Sequence, residues 1–438
     1  MSTSAIREAA ASYSPPPPSP GTTKRRIASL DIVRGVVVVL MAIDHVRVYS
    51  GLPAGGPTPG IFFTRWITHF VAPAFVFLAG TAAFLYGQRV NDRGRLARFL
   101  LTRGLWLVLL ELTVIRVCWT FNFDFANYML AGVIWMIGWC MVLMSAIVYL
   151  PSKAIAVGSV SVILLHNVTD LFGGFRSAIS QGALGWLGKI AYAGGAIPNG
   201  ESGPLLILFV IVPWIAVMAA GYAFGPVMQL SPERRRALCI KIGGAAIVAF
   251  VLLRALDFYG DPRHWRPRAT AAAQAGPANA AQPATATTPL PAAAQQPPRR
   301  QPPAVLAFLG TTKYPASLLF LLMTLGPTLV LIGLVEGATG RIAGALETFG
   351  KVPFFYYLLH IPTIHLAAIV VSRVRDGSVT PWLFENHPMG NSGPPPGYTW
   401  SLGLLYLVWA IVIALLYVAC RWYAGVKSRS RSRWLSYL

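Results

Sequence analysis

The 438-residue chain is 55% hydrophobic and only 12% charged, and its mean hydropathy is +0.58; soluble domains carry roughly 25% charged residues, so a soluble globular fold is excluded. Lys and Arg outnumber Asp and Glu 36 to 15, for a net charge of +21. The basic residues cluster in short segments between apolar runs, as membrane topology signals do, so no nucleic-acid partner is expected. Apolar runs of roughly twenty residues recur along the whole length. They predict an all-α, polytopic integral membrane protein with about ten transmembrane helices, both termini cytoplasmic and lipid as its surroundings.

Residues 1–23, with the run SPPPPSP, read as a disordered N-terminal tail without the apolar core of a cleavable signal peptide. Lys24, Arg25 and Arg26 then mark a cytoplasmic start to a membrane domain over 24–259. Its first helix is expected over about 27–49, its second over about 62–87. The loop with Arg89, Arg93, Arg95, Arg98 and Arg103 is cytoplasmic by its charge. Further helices are expected over about 100–120, 129–150, 154–171, 203–229 and 239–257, with Gly-rich 172–202 at the outer surface. Residues 260–303, rich in Ala, Pro and Gln, form an outer low-complexity linker, although Arg263, Arg266 and Arg268 run against the positive-inside bias there. Helices over about 315–334, 352–372 and 400–421 make a second membrane segment, 304–426, and 427–438 is a basic cytoplasmic tail. Cys118, Cys140, Cys239 and Cys420 show neither disulfide nor metal-ligand spacing, and no metal is expected.

The first helix is the focus. It carries Asp31, Arg34, Asp44, His45 and Arg47 within an apolar span, where each ionisable group costs several kcal/mol and is functional by default. At about 100° and 1.5 Å per residue, Arg34 and His45 share a stripe, roughly 20° and 16 Å apart. Asp31 lies one turn below Arg34, close enough for a purely structural pair at the interface. The topology puts Asp44, His45 and His69 in the outer half of the membrane, Lys313 and Tyr314 at the outer mouth of helix eight, His360 near mid-membrane and His365 further out. Arg34, His45, His69 and Lys313 are expected to line one cavity. His166 reads as a satisfied interfacial histidine, and His264 and His387 as solvated loop residues. Glu111 and Arg116 read as neutralising partners within the bundle.

An Arg in the first membrane helix followed after ten residues by a His resembles the signature of transmembrane acyltransferases that acetylate surface polysaccharides. The wider context resembles bacterial relatives of heparan-alpha-glucosaminide N-acetyltransferase. It is carried by SLDIVRG, FFTRWITHFVAPAFVFLAGTAAF, GTTKYPASLLFLLMTLGP, FGKVPFFYYLLHIPTIHLA and the terminal RWLSYL. The resemblance implies acetyl-CoA as acyl donor, a sugar or glycan acceptor on the outer side and a bacterial inner membrane location. The heparan-type catalytic histidine lies in the loop after the first helix, and GLPAGGPTPGIFF here contains none. That family also has Asn where His45 stands and Asp where His69 stands, so the polysaccharide-acetyltransferase pattern, Arg34 with His45, is the one that fits.

These readings assign His45, Arg34, Asp44 and His69 to catalysis, Arg34 and Asp31 to the acyl-CoA, and Lys313, Tyr314, His360 and His365 to the acceptor. Arginine suits the CoA phosphates because its fork donates two hydrogen bonds at once. A neutral His45 would act either as general base or as acyl carrier. The competing reading is a transporter of a small polar or anionic substrate, for which polar groups at mid-membrane are equally expected, but no internal repeat or pair of broken helices is found. A non-catalytic scaffold leaves the buried charges without a purpose. Assembly into homo-oligomers is left open.

Overall fold

The computed structural model describes residues 26–55, 58–199, 202–266, 303–389 and 393–429. The expected N-terminal tail, most of the linker and the end of the basic tail lie outside the described residues.

The chain opens with α1, Ala28–Tyr49, which stops where Gly51 turns into the left-handed region at φ 72°. Next come α2, Pro59–Trp66, capped by Thr58, a 3-10 turn, Ile67–Phe70, and α3, Val71–Val90. Asp92 accepts from the Arg95 amide and starts α4, Arg93–Leu110. That helix runs through a π turn, Glu111–Ile115, into α5, Arg116–Thr120. Strand β1, Met129–Ala131, leads to α6, Val133–Ile147, and then α7, Ser152–Leu165.

The glycine-rich stretch that follows holds short helices α8, Phe175–Ile179, and α9, Gly185–Gly188, and strands β2, Gly195–Asn199, and β3, Ser202–Ile207. The strands order β1-β3-β2, with β3 parallel to β1 (Met129 opposite Leu205) and antiparallel to β2 (Ile197 opposite Leu205). Helices α10, Val212–Phe224, α11, Pro232–Leu256, and α12, Ala304–Leu309, precede α13, Leu318–Leu334. The chain continues with α14, Arg341–Lys351, α15, Pro353–Asp376, and α16, Leu402–Arg429.

The protein is therefore mostly helical, with little strand. Five helical stretches are long and apolar enough to cross a membrane: Pro59–Val90, Ser152–Leu171, Pro232–Leu256, Pro353–Asp376 and Leu402–Arg429. Val133–Ile147 and Leu318–Leu334 are apolar but shorter. Helices occur in every stretch where the hydropathy predicts one, but not always over the whole of it: the helix expected from about 129 begins as strand β1, and short helices α8, α9 and α12 fall in stretches where none is predicted. The segment expected to begin a helix near 203 is strand until Ile207, and α14 occupies a stretch expected to be loop.

Helix α1 sits against α3, α13, α14, α15 and α16. Small residues set the closest approaches, as is usual between membrane helices. A Cβ placed on Gly35 would lie 1.9 Å from the Leu346 carbonyl oxygen, and one on Gly350 would lie 1.7 Å from the Asp31 oxygen, so α1 and α14 meet backbone to backbone. Gly80 and Gly221 do the same for α3 and α10. On the other side of the linker, Gly243 of α11 faces Gly326 of α13, so the segments before and after 260–303 pack directly on each other.

A candidate active site between two adjoining cavities

The last turns of α1 bring four polar groups to one place. Asp44 accepts hydrogen bonds from Arg47 Nε at 2.8 Å and from Arg65 of α2. Two guanidiniums on one carboxylate leave a local excess of positive charge. Arg47 also donates to the Leu52 carbonyl at 2.8 Å, which ties the loop after α1 to the helix. His45 lies beside this cluster without joining it. Its Nδ1 is 2.6 Å from Nε2 of His360 on α15, and the two ring planes lie within 25° of each other with centroids 4.8 Å apart. His360 Nδ1 is 2.6 Å from the Tyr357 carbonyl oxygen one turn earlier, and the Tyr356 ring stacks on its other side at 5.3 Å. Trp119 of α5 meets the His45 ring edge-on at 4.8 Å, and Tyr49 fixes that segment by donating to the Trp119 carbonyl.

His45 borders a cavity of about 590 Å³ at the C-terminal end of α1. Asp44, Arg65, Glu111, Lys313, Tyr314 and His387 contribute its polar wall. Lys313 has its ammonium 5.3 Å from the Tyr314 ring and 5.7 Å from that of Phe209. The turn that presents Lys313 and Tyr314 is fastened from behind: Asp261 accepts from the Thr312 amide and hydroxyl and from Ser317, and Asn167 accepts from the Leu318 amide. Glu111 sits in the π turn, a kind of helix defect common at functional sites. It is buried, accepts from the amides of Gly132 and Ile134 at the start of α6, and keeps Oε2 without a partner among the described residues. Its carboxyl oxygen there meets the positive end of the α6 dipole. Gly132 is required, since a Cβ would lie 2.1 Å from Glu111 Oε1.

A second, narrower cavity of about 340 Å³ lies toward the N-terminal half of α1. Its wall is apolar and aromatic, with Phe75, Tyr86, Phe99 and Phe354, apart from the guanidiniums of Arg34 and Arg103. Met41, Val71, Val133 and Tyr357 border both cavities, so the two meet just below His45. Arg34 also donates to Asp31 at 3.0 Å, and Asp31 is held by Arg26 as well.

The expected single cavity is thus two. His45 and Lys313 share the wider one, while Arg34 opens on the narrower, because about 16 Å of helix separates it from His45. His69 borders neither: the 3-10 turn before α3 aims its ring edge-on at Phe320, centroids 5.5 Å apart. His360 stands behind His45, fully buried, with both ring nitrogens engaged by protein, which leaves it none for an acceptor. His365 is also fully buried, stacked on Phe121 at 3.8 Å and Tyr49 at 4.7 Å, and borders neither cavity. Asp31 borders neither and meets the narrower cavity only through Arg34.

Three residues depart from what the sequence predicts. His387 is not solvated: it is 5% exposed, donates from Nε2 to the Trp382 carbonyl at 2.9 Å and lines the wider cavity. Burial holds its pKa below the ordinary histidine value, although the Trp382 carbonyl pulls the other way, so the ring is neutral at pH 7. Neither Glu111 nor Arg116 makes an ion pair with a partner among the described residues. Arg116 donates instead to the carbonyls of Tyr128, Asn122 and Asp124. No group of three metal-ligating side chains occurs among the described residues.

Apolar helices that turn their ionisable side chains toward internal cavities define an integral membrane protein with a buried polar site. The family model for the catalytic region of heparan-alpha-glucosaminide N-acetyltransferase matches residues 26–259, more than half of the chain, and the chain belongs to this family. That makes it a membrane acyltransferase. The matched region contains Arg34, Asp44, His45, Arg65 and Glu111 and ends before Lys313, His360 and His387. No curated protein matches the chain.

Proposed function

We propose that the protein moves an acetyl or similar acyl group from cytosolic acyl-CoA to a sugar or glycan acceptor on the outer side of a bacterial plasma membrane, through ten membrane-crossing helices with both termini inside. The observation that carries this reading is the pair of cavities meeting below His45. The narrower has the shape and chemistry for the thin acyl-bearing arm of CoA, with Arg34 and Arg103 toward its phosphates. The wider one, with its mixed charges, suits a polar acceptor.

At the junction His45 takes the proton from the acceptor's amine or hydroxyl as that atom bonds to the thioester carbonyl carbon. The carbon–sulfur bond breaks and the proton passes to the departing thiolate. In the covalent version the His45 nitrogen bonds to the acyl carbon as the carbon–sulfur bond breaks and CoA departs as thiolate; the acceptor atom then displaces the imidazole, and its proton passes to the thiolate. Lys313, Tyr314 and His387 are placed to bind the acceptor. The test is transfer of labelled acetyl from acetyl-CoA to a panel of glycans by purified protein in detergent or vesicles. Acceptor-dependent labelling, or slow acetyl-CoA hydrolysis without acceptor, is expected. Accumulation of label inside vesicles without acyl transfer would instead identify a transporter.

A further inference from the structure

A carbonyl oxygen can only accept, so the nitrogen 2.6 Å from the Tyr357 oxygen, His360 Nδ1, carries a proton. With the ring neutral, His360 Nε2 is then a bare lone pair. It lies 2.6 Å from His45 Nδ1, which must therefore be the donor. A neutral His45 that donates from Nδ1 has its own lone pair at Nε2. The order of donation runs from His45 through His360 to the Tyr357 backbone, and each step fixes the next. His45 Nε2 makes no hydrogen bond among the described residues, and the ring borders the wider cavity. His360 borders neither cavity.

We propose that His360 is a positioning residue: read through the Tyr357 carbonyl, it sets the tautomer of His45, so that Nε2 is the nitrogen that takes the acceptor's proton or the acyl group. It touches neither substrate. This rests on the acyl-transfer reading above for its catalytic consequence, but the tautomer is a property of the resting protein. Free neutral imidazole favours the proton on Nε2. Without an acceptor opposite Nδ1, His45 would revert to that form and turn its lone pair away from the cavity. The edge-on contact of His45 with Trp119 holds the ring plane but does not choose between the nitrogens. The choice comes from the hydrogen bond.

Two variants separate positioning from structure. His360→Leu keeps apolar bulk on α15 and removes the acceptor. His360→Gln keeps an amide oxygen able to accept from His45 Nδ1. Activity is compared at matched amounts of monodisperse protein with matched thermal unfolding. His360→Leu is expected to lose 100-fold or more in kcat with KM for acetyl-CoA within about threefold, because base catalysis is worth roughly 10²–10⁴. His360→Gln is expected to recover at least tenfold of that loss. The second readout needs no turnover: acylation of His45 by diethyl pyrocarbonate, followed by mass spectrometry of the peptide. His45 should be modified readily in the wild type and in His360→Gln, and at least tenfold more slowly in His360→Leu.

Equal impairment of the two activity variants, or His45 labelling unchanged in His360→Leu, would overturn the positioning role. Slowed labelling in His360→Leu when the wild type itself transfers no acetyl would uphold the tautomer control and reject the acyltransferase reading.

Discussion

At the scale of the residue, His45 and Arg34 hold different posts, and their substitutions should differ in kind. His45→Ala should abolish acetyl transfer while leaving insertion and folding intact. Loss of a general base costs roughly 10² to 10⁴ in rate, and loss of a covalent carrier leaves almost nothing. His45→Gln keeps hydrogen bonding but has neither basicity nor nucleophilicity, so it should be equally inactive. Near-normal transfer by His45→Gln at matched folded concentration would make the histidine structural. Arg34→Lys keeps the charge but loses the planar fork that spans Asp31 and the narrower cavity. Its expected signature is a raised KM for acetyl-CoA with turnover largely retained. An unchanged KM would remove Arg34 from donor binding.

The same scale shows what could be read without coordinates. The eleven-residue spacing of Arg34 and His45 does put them on one stripe of α1, but a stripe says nothing about where one cavity ends and the next begins. His69 looked equivalent to His45 because both fall in apolar runs; a four-residue 3-10 turn rotates it onto Phe320. His387 looked solvated because it lies among Pro, Asn and Gly. Its burial depends on Trp382, five residues earlier with its ring 4.6 Å away, and on Tyr49, whose ring lies 5.3 Å away and comes from a distant part of the chain. The partnership of His45 with His360 crosses more than three hundred residues and has no local signal.

At the scale of the element, helix positions were legible because apolar length alone marks a helix in lipid. The elements that were not legible lack that signal. Strands β1, β2 and β3 are only three to six residues long, and β2 and β3 each contain Gly and Pro. Helix α14 is too short and polar to register as a span, yet it supports the lower half of α1. This support predicts an asymmetry between two glycines. Gly35→Ala would force a Cβ against the Leu346 backbone, whereas Gly344 of α14 has no heavy atom within 4 Å of the position its Cβ would take. Overpacking a close helix contact costs about 1–3 kcal/mol, while Ala for Gly in an open helix position gains up to about 1 kcal/mol. Thermal unfolding in detergent should therefore fall for Gly35→Ala and hold or rise for Gly344→Ala. Equal melting temperatures would mean that α14 is not fastened to α1 in solution.

At the scale of the whole molecule, the proposed transfer requires continuity between the two cavities. Neither explains acyl transfer alone. The narrower has cationic groups at an apolar channel but no titratable group suited to proton transfer at neutral pH, and the wider has His45 but no apolar channel for a donor. On the proposed reading, donor and acceptor meet at the junction lined by Met41, Val71, Val133 and Tyr357. Val133 is the residue to change there. It is the first residue of α6, directly after the Gly132 amide that binds Glu111, and it is only half-buried, so a larger side chain has room to turn into the opening. Val133→Trp should plug the junction. Free CoA, which has no acyl group to pass through, should still bind within about threefold of wild type by equilibrium binding. Acetyl transfer should fall by 100-fold or more, because a near-attack geometry tolerates no blocked approach. Val133→Ala, which widens the opening, should keep transfer within a few-fold. Normal transfer by a folded Val133→Trp protein would show that donor and acceptor meet by another route.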